Sequence, residues 1–242
     1  MLLPGAGDDY VRLGFFQRGA TTGDLESPLQ AFEPNVEMPV NTCTVRNGTD
    51  FLAQPGQPVQ TPMDAGTELR VVGPGGTYRL LQSATNAGNY DDPQRVLIPP
   101  GRYLIGNGAG GKDVGPFSFE TDAISVRLLS QPGKIVRGEN LALSWDYQGP
   151  PGQLLTIFGS TNSCGRSLHS FTCIARASDR RFVVPARILS ALPPTITIFG
   201  LSNGALNIST TSPGGLRRFA APGLDLGLFL QLSISAIRPV YE

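Results

Sequence analysis

Residues 99–120 read PPGRYLIGNGAGGKDVGPFSFE, and the fold is decided by how this stretch is read. Pro99-Pro100-Gly101 marks a turn that leads into extended chain. Arg102-Tyr103-Leu104-Ile105 is short, apolar and rich in strand formers. Gly106 to Gly115 holds five glycines in ten residues, so the backbone bends there where bulkier residues would resist. Phe117-Ser118-Phe119-Glu120 then alternates apolar and polar, as a half-buried strand does. The unit is strand, glycine-rich turn, strand. It is expected to close one β-domain, with the chain after Asp122 building a second.

Working outward, the same grammar repeats. Thr67 to Val72 (TELRVV) and Thr77 to Leu81 (TYRLL) flank Gly73-Pro74-Gly75-Gly76, which predicts a hairpin. Asn47-Gly48 is a strong turn dipeptide after a strand beginning at Thr42. Beyond Asp122, Ile124, Val126 and Leu128 alternate with Ser125 and Arg127. Leu141, Leu143 and Trp145 alternate with Ala142 and Ser144, which places the single tryptophan in a core. Pro185 suits the start of a helix over Ala186 to Leu192, and Pro193-Pro194 ends it. Leu228 to Ile237 predicts a long final strand with Leu230 and Leu232 buried. The reading is all-β: two Ig-like β-sandwich domains in tandem, with one short helix in the second. Residues 1–40 form an N-terminal arm and loop, 41–122 the first sandwich and 123–242 the second.

Composition agrees. Gly 30 and Pro 21 in 242 residues make about a fifth of the chain, against roughly 12% in ordinary usage, which leaves little room for long helices. Lys+Arg 19 balance Asp+Glu 19. The densest basic groups are the pairs Arg180-Arg181 and Arg217-Arg218, which are no basic face, so nucleic acid is not an expected partner. No apolar run approaches the roughly 18 residues of a membrane span. A net charge near zero does little to oppose self-association.

The cysteines bear on the compartment. Cys164 and Cys173 flank SCGRSLHSFTC at hairpin spacing and are expected to bridge, leaving Cys43 over. A bridge implies an oxidising compartment, and so a secreted or cell-surface protein. MLLPGAGDDY lacks the basic start and apolar core of a signal peptide. The expectation is an exported chain whose leader is no longer part of it.

No catalytic, cofactor or metal constellation is expected. Gly106-x-Gly108-x-x-Gly111 matches a dinucleotide fingerprint in letters, but a strand follows it where that motif needs a helix N-terminus. Ser167 and His169 lack a G-x-S-x-G elbow. Neighbouring carboxylates Asp8-Asp9 and Asp91-Asp92 point apart on extended chain and make no glycosidase pair. Tyr90-Asp91-Asp92 has the oxygen ligands calcium prefers, without the D-x-D-x-D-G series.

Several stretches together carry a resemblance: DAGTELRVVGPGGTYRL (64–80), PPGRYLIGNG (99–108), GNGAGGKDVGPFSFE (106–120), LALSWDY (141–147), FTCIA (171–175), FVVPARILSALPP (182–194) and FAAPGLDLG (219–227). In combination they resemble a group of uncharacterised secreted proteins abundant in Acidobacteria. The resemblance runs from about Cys43 to the C-terminus and implies export, β-sandwich modules and no assigned activity.

The expected function is therefore non-enzymatic. The protein is read as a structural or adhesive component of the cell surface that acts through protein partners, copies of itself among them. Tyr10 to Phe16 (YVRLGFF), followed by a long irregular segment to Pro39, reads either as the first strand of the first domain with a meandering loop or as a detachable assembly strand, with Tyr10, Val11, Leu13, Phe15 and Phe16 as its residues. Such a strand pairs onto a neighbour's open sheet edge. The alternative is a carbohydrate-binding module whose glycan platform is Tyr78, Tyr90 and Tyr103.

Overall fold

The structure is a computed structural model that describes residues 12–14, 16–18, 38–50, 60–92, 98–163, 167–198, 201–213, 215, 217–225, 227–229 and 231–242. The fold is all-β, with mostly antiparallel sheets and, among the described residues, one short α-helix.

The first body is a six-stranded sheet built from β1 (Arg12–Gly14), β5 (Glu68–Gly73), β6 (Gly76–Ser83), β7 (Asn86–Asp91), β8 (Gly101–Gly106) and β9 (Ser118–Ala123), in the order β1-β7-β6-β5-β8-β9. Beside it, β2 (Phe16–Arg18) pairs with β4 (Gln60–Pro62). The predicted hairpin is present: β5 and β6 pair from Glu68↔Leu81 to Gly73↔Gly76. Gly76 takes φ +110°, which a side chain would oppose. Alternation then sorts the faces. Leu69, Val71, Leu80, Tyr90, Tyr103 and Ile105 are buried on one side.

A hairpin from late in the chain covers that side. β19 (Arg217–Phe219) and β20 (Gly227–Phe229) bring Phe219 and Phe229 against Phe117 and Phe119. Ring centroids lie 5.2 Å (Phe117–Phe219), 5.0 Å (Phe119–Phe219) and 4.9 Å (Phe119–Phe229) apart. Pairs at such separations add about 0.5–1.5 kcal/mol each beyond the area they bury.

The second body is a two-sheet sandwich. One sheet holds β10 (Ser125–Leu128), β12 (Leu141–Gln148) and β15 (Arg181–Val184), in the order β10-β12-β15. The other holds β3 (Cys43–Asp50), β13 (Leu154–Ser163), β14 (Ser167–Arg176), β18 (Ala205–Thr211) and β21 (Leu232–Ile237), in the order β21-β18-β13-β14-β3. Val126, Leu128, Leu143 and Trp145 from the first share a core with Leu155, Ile157, Phe171 and Ile208 from the second. Trp145 is buried as expected, and its indole N–H donates to Ala177 O at 2.8 Å. The helix α1 (Ala186–Leu189) starts directly after Pro185 and buries Ile188 and Leu189. A parallel pair, β11 (Lys134–Ile135) with β22 (Val240–Tyr241), and a short hairpin, β16 (Thr197–Ile198) with β17 (Leu201–Ser202), complete the body.

Three expectations change. First, the two bodies are interlaced and do not follow one another in tandem about Asp122. β3, expected in the first sandwich, is the outermost strand of the second body's five-stranded sheet, and the β19–β20 hairpin belongs to the first core. Alternation marks which face of a strand is buried, but it does not name the sheet.

Second, Cys173 bridges to Cys43, not to Cys164, across a sequence separation of 130. The register explains it: β3 lies antiparallel to β14 with Cys43 directly opposite Cys173, Cα–Cα 4.0 Å. In the β13–β14 hairpin, Cys173 instead faces Ile157. The hairpin's turn end, where Ser163 pairs with Ser167, is about 20 Å of strand away. Cys164 itself lies outside the described residues.

Third, Gly227–Phe229 and Leu232–Ile237 pair with different strands, β19 and β18, Leu230 lies outside the described residues, and the buried parity in β21 is that of its serines. Leu232 is 45% exposed. Ser233 and Ser235 point inward and accept hydrogen bonds from the main-chain N–H groups of Val126 and Leu128, each at 3.0 Å. Those N–H groups belong to the edge of β10 and would otherwise be buried without partners.

Candidate assembly surface

The glycine-rich segment between β8 and β9 is a long, tightly tied loop where a short turn was expected. Asn107 is buried and uses its whole amide. Its Nδ2 donates to Ala65 O and Gly115 O, both at 3.0 Å, and its Oδ1 accepts from Phe117 N–H at 2.8 Å. Asp64 O accepts from the N–H groups of Asp113 (2.9 Å) and Val114 (3.0 Å), and Asp113 Oδ2 accepts from Asp64 N–H at 2.8 Å. Gly111 sits where a Cβ would come within 2.2 Å of Gly66 N, so only glycine allows the two loops to touch. These bonds satisfy one another within the protein. The loop is a clamp that holds the ends of β8 and β9, and it is not a phosphate cradle.

The tyrosines of the expected glycan platform are core residues. Tyr90 is 0% exposed and Tyr103 1%, while Tyr78 is half-buried beside Tyr103 with ring centroids 6.3 Å apart. Tyr90 O–H donates to Gly66 O (2.8 Å) and accepts from Ala65 N–H (2.9 Å); Tyr103 O–H donates to Pro99 O (2.7 Å). Burial raises the pKa of both phenols, because the charged form would lose its water. Strand tyrosines bury the ring and anchor the hydroxyl, so their spacing looks the same in a platform and in a core.

Along β14, Ser167 and His169 stand opposite Ser163 and Thr161. Among the described residues, no group of three or more His, Cys, Asp or Glu is placed to hold a metal ion.

The sheet edges show where another chain can pair. β9 is protected: Ser212 O–H donates to Asp122 O at 2.7 Å, and Arg217 Nη1 donates to Glu120 O at 3.0 Å. β10 is closed by the serines of β21. At the far edge of the first sheet, β1 pairs antiparallel with β7 in the register Arg12↔Asp91, Leu13↔Tyr90, Gly14↔Asn89. Next to it, Phe16 stands opposite Pro62. Of the expected assembly residues, Leu13 and Phe16 thus lie on paired strands, while Tyr10, Val11 and Phe15 lie outside the described residues.

The face of the first sheet turned away from its core carries Glu68 and Arg70 on β5, Arg79 on β6, Arg102 on β8 and Glu120 and Asp122 on β9. Glu68 accepts from Arg70 Nε at 2.8 Å and from Arg79, and these bonds hold its carboxyl below the usual carboxylate range. Arg102 reaches Asp122 Oδ1 at 3.4 Å and Glu120 Oε2 at 3.9 Å. Between the two groups lie Val72, Leu104 and a shallow groove of 420 Å³ beside Gly106 and Phe117. The alternation in Glu68-Leu69-Arg70 and Tyr78-Arg79-Leu80 is the signal in the sequence by which this face could have been found. No protein-family model, no curated protein and no solved structure matches the chain.

Proposed function

We propose that this chain is an exported, non-enzymatic structural or adhesive protein of the cell surface, which acts through protein–protein contacts and links to copies of itself by its N-terminal strand. The reading rests chiefly on β1, a strand from the start of the chain that completes the edge of the first sheet against β7. A strand that completes an edge within one molecule makes the same contacts on the identical edge of a neighbour, so exchange changes connectivity without changing chemistry. β1 is three residues long, so few main-chain bonds resist its release. The Cys43–Cys173 bridge favours an oxidising compartment, and the likeness to secreted Acidobacterial proteins points the same way. Two of the three tyrosines of the carbohydrate reading, Tyr90 and Tyr103, are buried, which favours the protein-contact reading over it.

The test uses position 12 opposite position 91. Arg12→Cys and Asp91→Cys are made separately in a Cys164→Ser background, mixed, unfolded and refolded together, and treated with a short bismaleimide. Exchange between copies gives a covalent dimer in the mixture and none from either variant alone. If the mixture stays monomeric while a chain carrying both substitutions cross-links within itself, the strand pairs only at home and the proposal fails.

A further inference from the structure

We infer that the open face of the first sheet is a second contact between copies of this chain, in which two such faces meet about a two-fold axis. This contact does not depend on strand exchange.

The strand order across this part of the sheet is β6-β5-β8-β9. At its middle, Val72 and Leu104 stand side by side, 43% and 46% exposed. A second copy laid on this face would take both side chains out of water.

The charges flanking this apolar strip are arranged in two groups. On the β5–β6 side, two guanidinium groups share one carboxylate, Glu68, which leaves one positive charge over. On the β9 side, one guanidinium, Arg102, lies between two carboxylates, Glu120 and Asp122, which leaves one negative charge over. Arg217 approaches β9 from the edge and is bonded to the Glu120 carbonyl there. The face is therefore neutral in sum and bipolar across its width, with the apolar strip between the poles.

Such a pattern is complementary to itself. A two-fold axis parallel to the strands, passing between β5 and β8, carries β6 onto β9 and β5 onto β8. Val72 of one copy then covers Leu104 of the other. Arg79 comes over the partner's β9 at Ser118, one residue pair along from Glu120, a step of about 7 Å that an arginine side chain spans, while Arg70 comes over the partner's β8 at Gly106. Each pole meets the opposite pole twice, as an isologous contact requires. An acidic or a basic partner would satisfy only one pole and oppose the other.

Four strands and three rows of outward side chains cover on the order of 400 Å² a side. A stable dimer buries about 800 Å² per partner, so this contact is weak alone, with association expected at roughly 0.1–1 mM chain.

Charge reversal and complementation test the inference by sedimentation equilibrium of the full chain. Arg70→Glu/Arg79→Glu makes both poles negative, and Glu120→Arg/Asp122→Arg makes both positive. All four positions are exposed, and circular dichroism checks that each variant folds. Each variant alone is expected to lose self-association at least tenfold, and a one-to-one mixture of the two to regain it, because each copy then offers what the other lacks. Wild type that remains monomeric at millimolar concentration overturns the inference. So does wild type that self-associates while the mixture does not recover. Covalent strand exchange in the cysteine experiment is indifferent to these charges, so the two readings fail separately.

Discussion

Reducing the Cys43–Cys173 bridge is expected to lower stability more than any single core substitution. The bridge closes a loop of 130 residues. Loop-closure entropy for that length corresponds to about 5 kcal/mol at 25 °C, against a typical total of about 5–15 kcal/mol for a native domain. For a chain of this size each kcal/mol is about 2–4 °C, so melting should fall by about 10–20 °C. Residual structure in the reduced, unfolded chain brings the measured drop below that ceiling. The lost constraint acts on one element: without it β3 is an outer strand held to β14 by main-chain bonds and by the packing of Val45 on the core. Melting is followed by circular dichroism with and without reductant in a Cys164→Ser background, and a Cys43→Ala/Cys173→Ala chain should match the reduced protein. Peptide mapping under non-reducing conditions identifies the bridged pair. A Cys164–Cys173 bridge in the wild-type map, or a melting shift under about 2 °C on full reduction, refutes the argument.

Two further outcomes are expected. Asn107→Leu strands Phe117 N–H and the carbonyls of Ala65 and Gly115, at about 1–3 kcal/mol for each group left buried without a partner; chemical denaturation should show a loss of about 3 kcal/mol or more. Alkali should unfold the protein: burial raises the pKa of Tyr241 most, and of Tyr90, Tyr103 and Tyr147 as well, above the ordinary value of 10.0. Stability from these phenols is full below the unfolded-state pKa and is lost as pH climbs from there through the folded-state values. Tyrosinate absorbance should therefore rise together with loss of circular dichroism; phenols that ionise near their ordinary value with the fold intact would sink this account.

What could be read from the sequence was local. The β5–β6 hairpin, the burial of Trp145 and the helix after Pro185 all follow from signals within a few residues of one another. The partner of β3 does not, because Val45 and Phe171 meet only after the chain has built most of both bodies. The cysteine spacing misled for the same reason: nearness along a hairpin outweighed a cross-strand register that no local pattern encodes. In β21 the buried side belongs to serines because the edge of β10 needs acceptors, a demand set by another strand. The candidate surfaces were half legible. The arm was visible as a strand with a long connection, whereas the bipolar face needed the lateral order of four strands before its charges could be placed.

The late position of the β19–β20 hairpin sets the order in which the protein can finish. Val71, Tyr103, Ile105 and Phe117 are synthesised before the second body's strands β10 to β18, yet Phe219 and Phe229, which roof them, follow those strands. The sheet begun first is thus roofed only after most of the second body has been made, and a nascent chain carries its apolar side bare until then. Such a chain keeps best when threaded through a membrane unfolded or shielded by a chaperone, and Phe219→Ser/Phe229→Ser, which leaves every strand of the second body in place, should give an insoluble product.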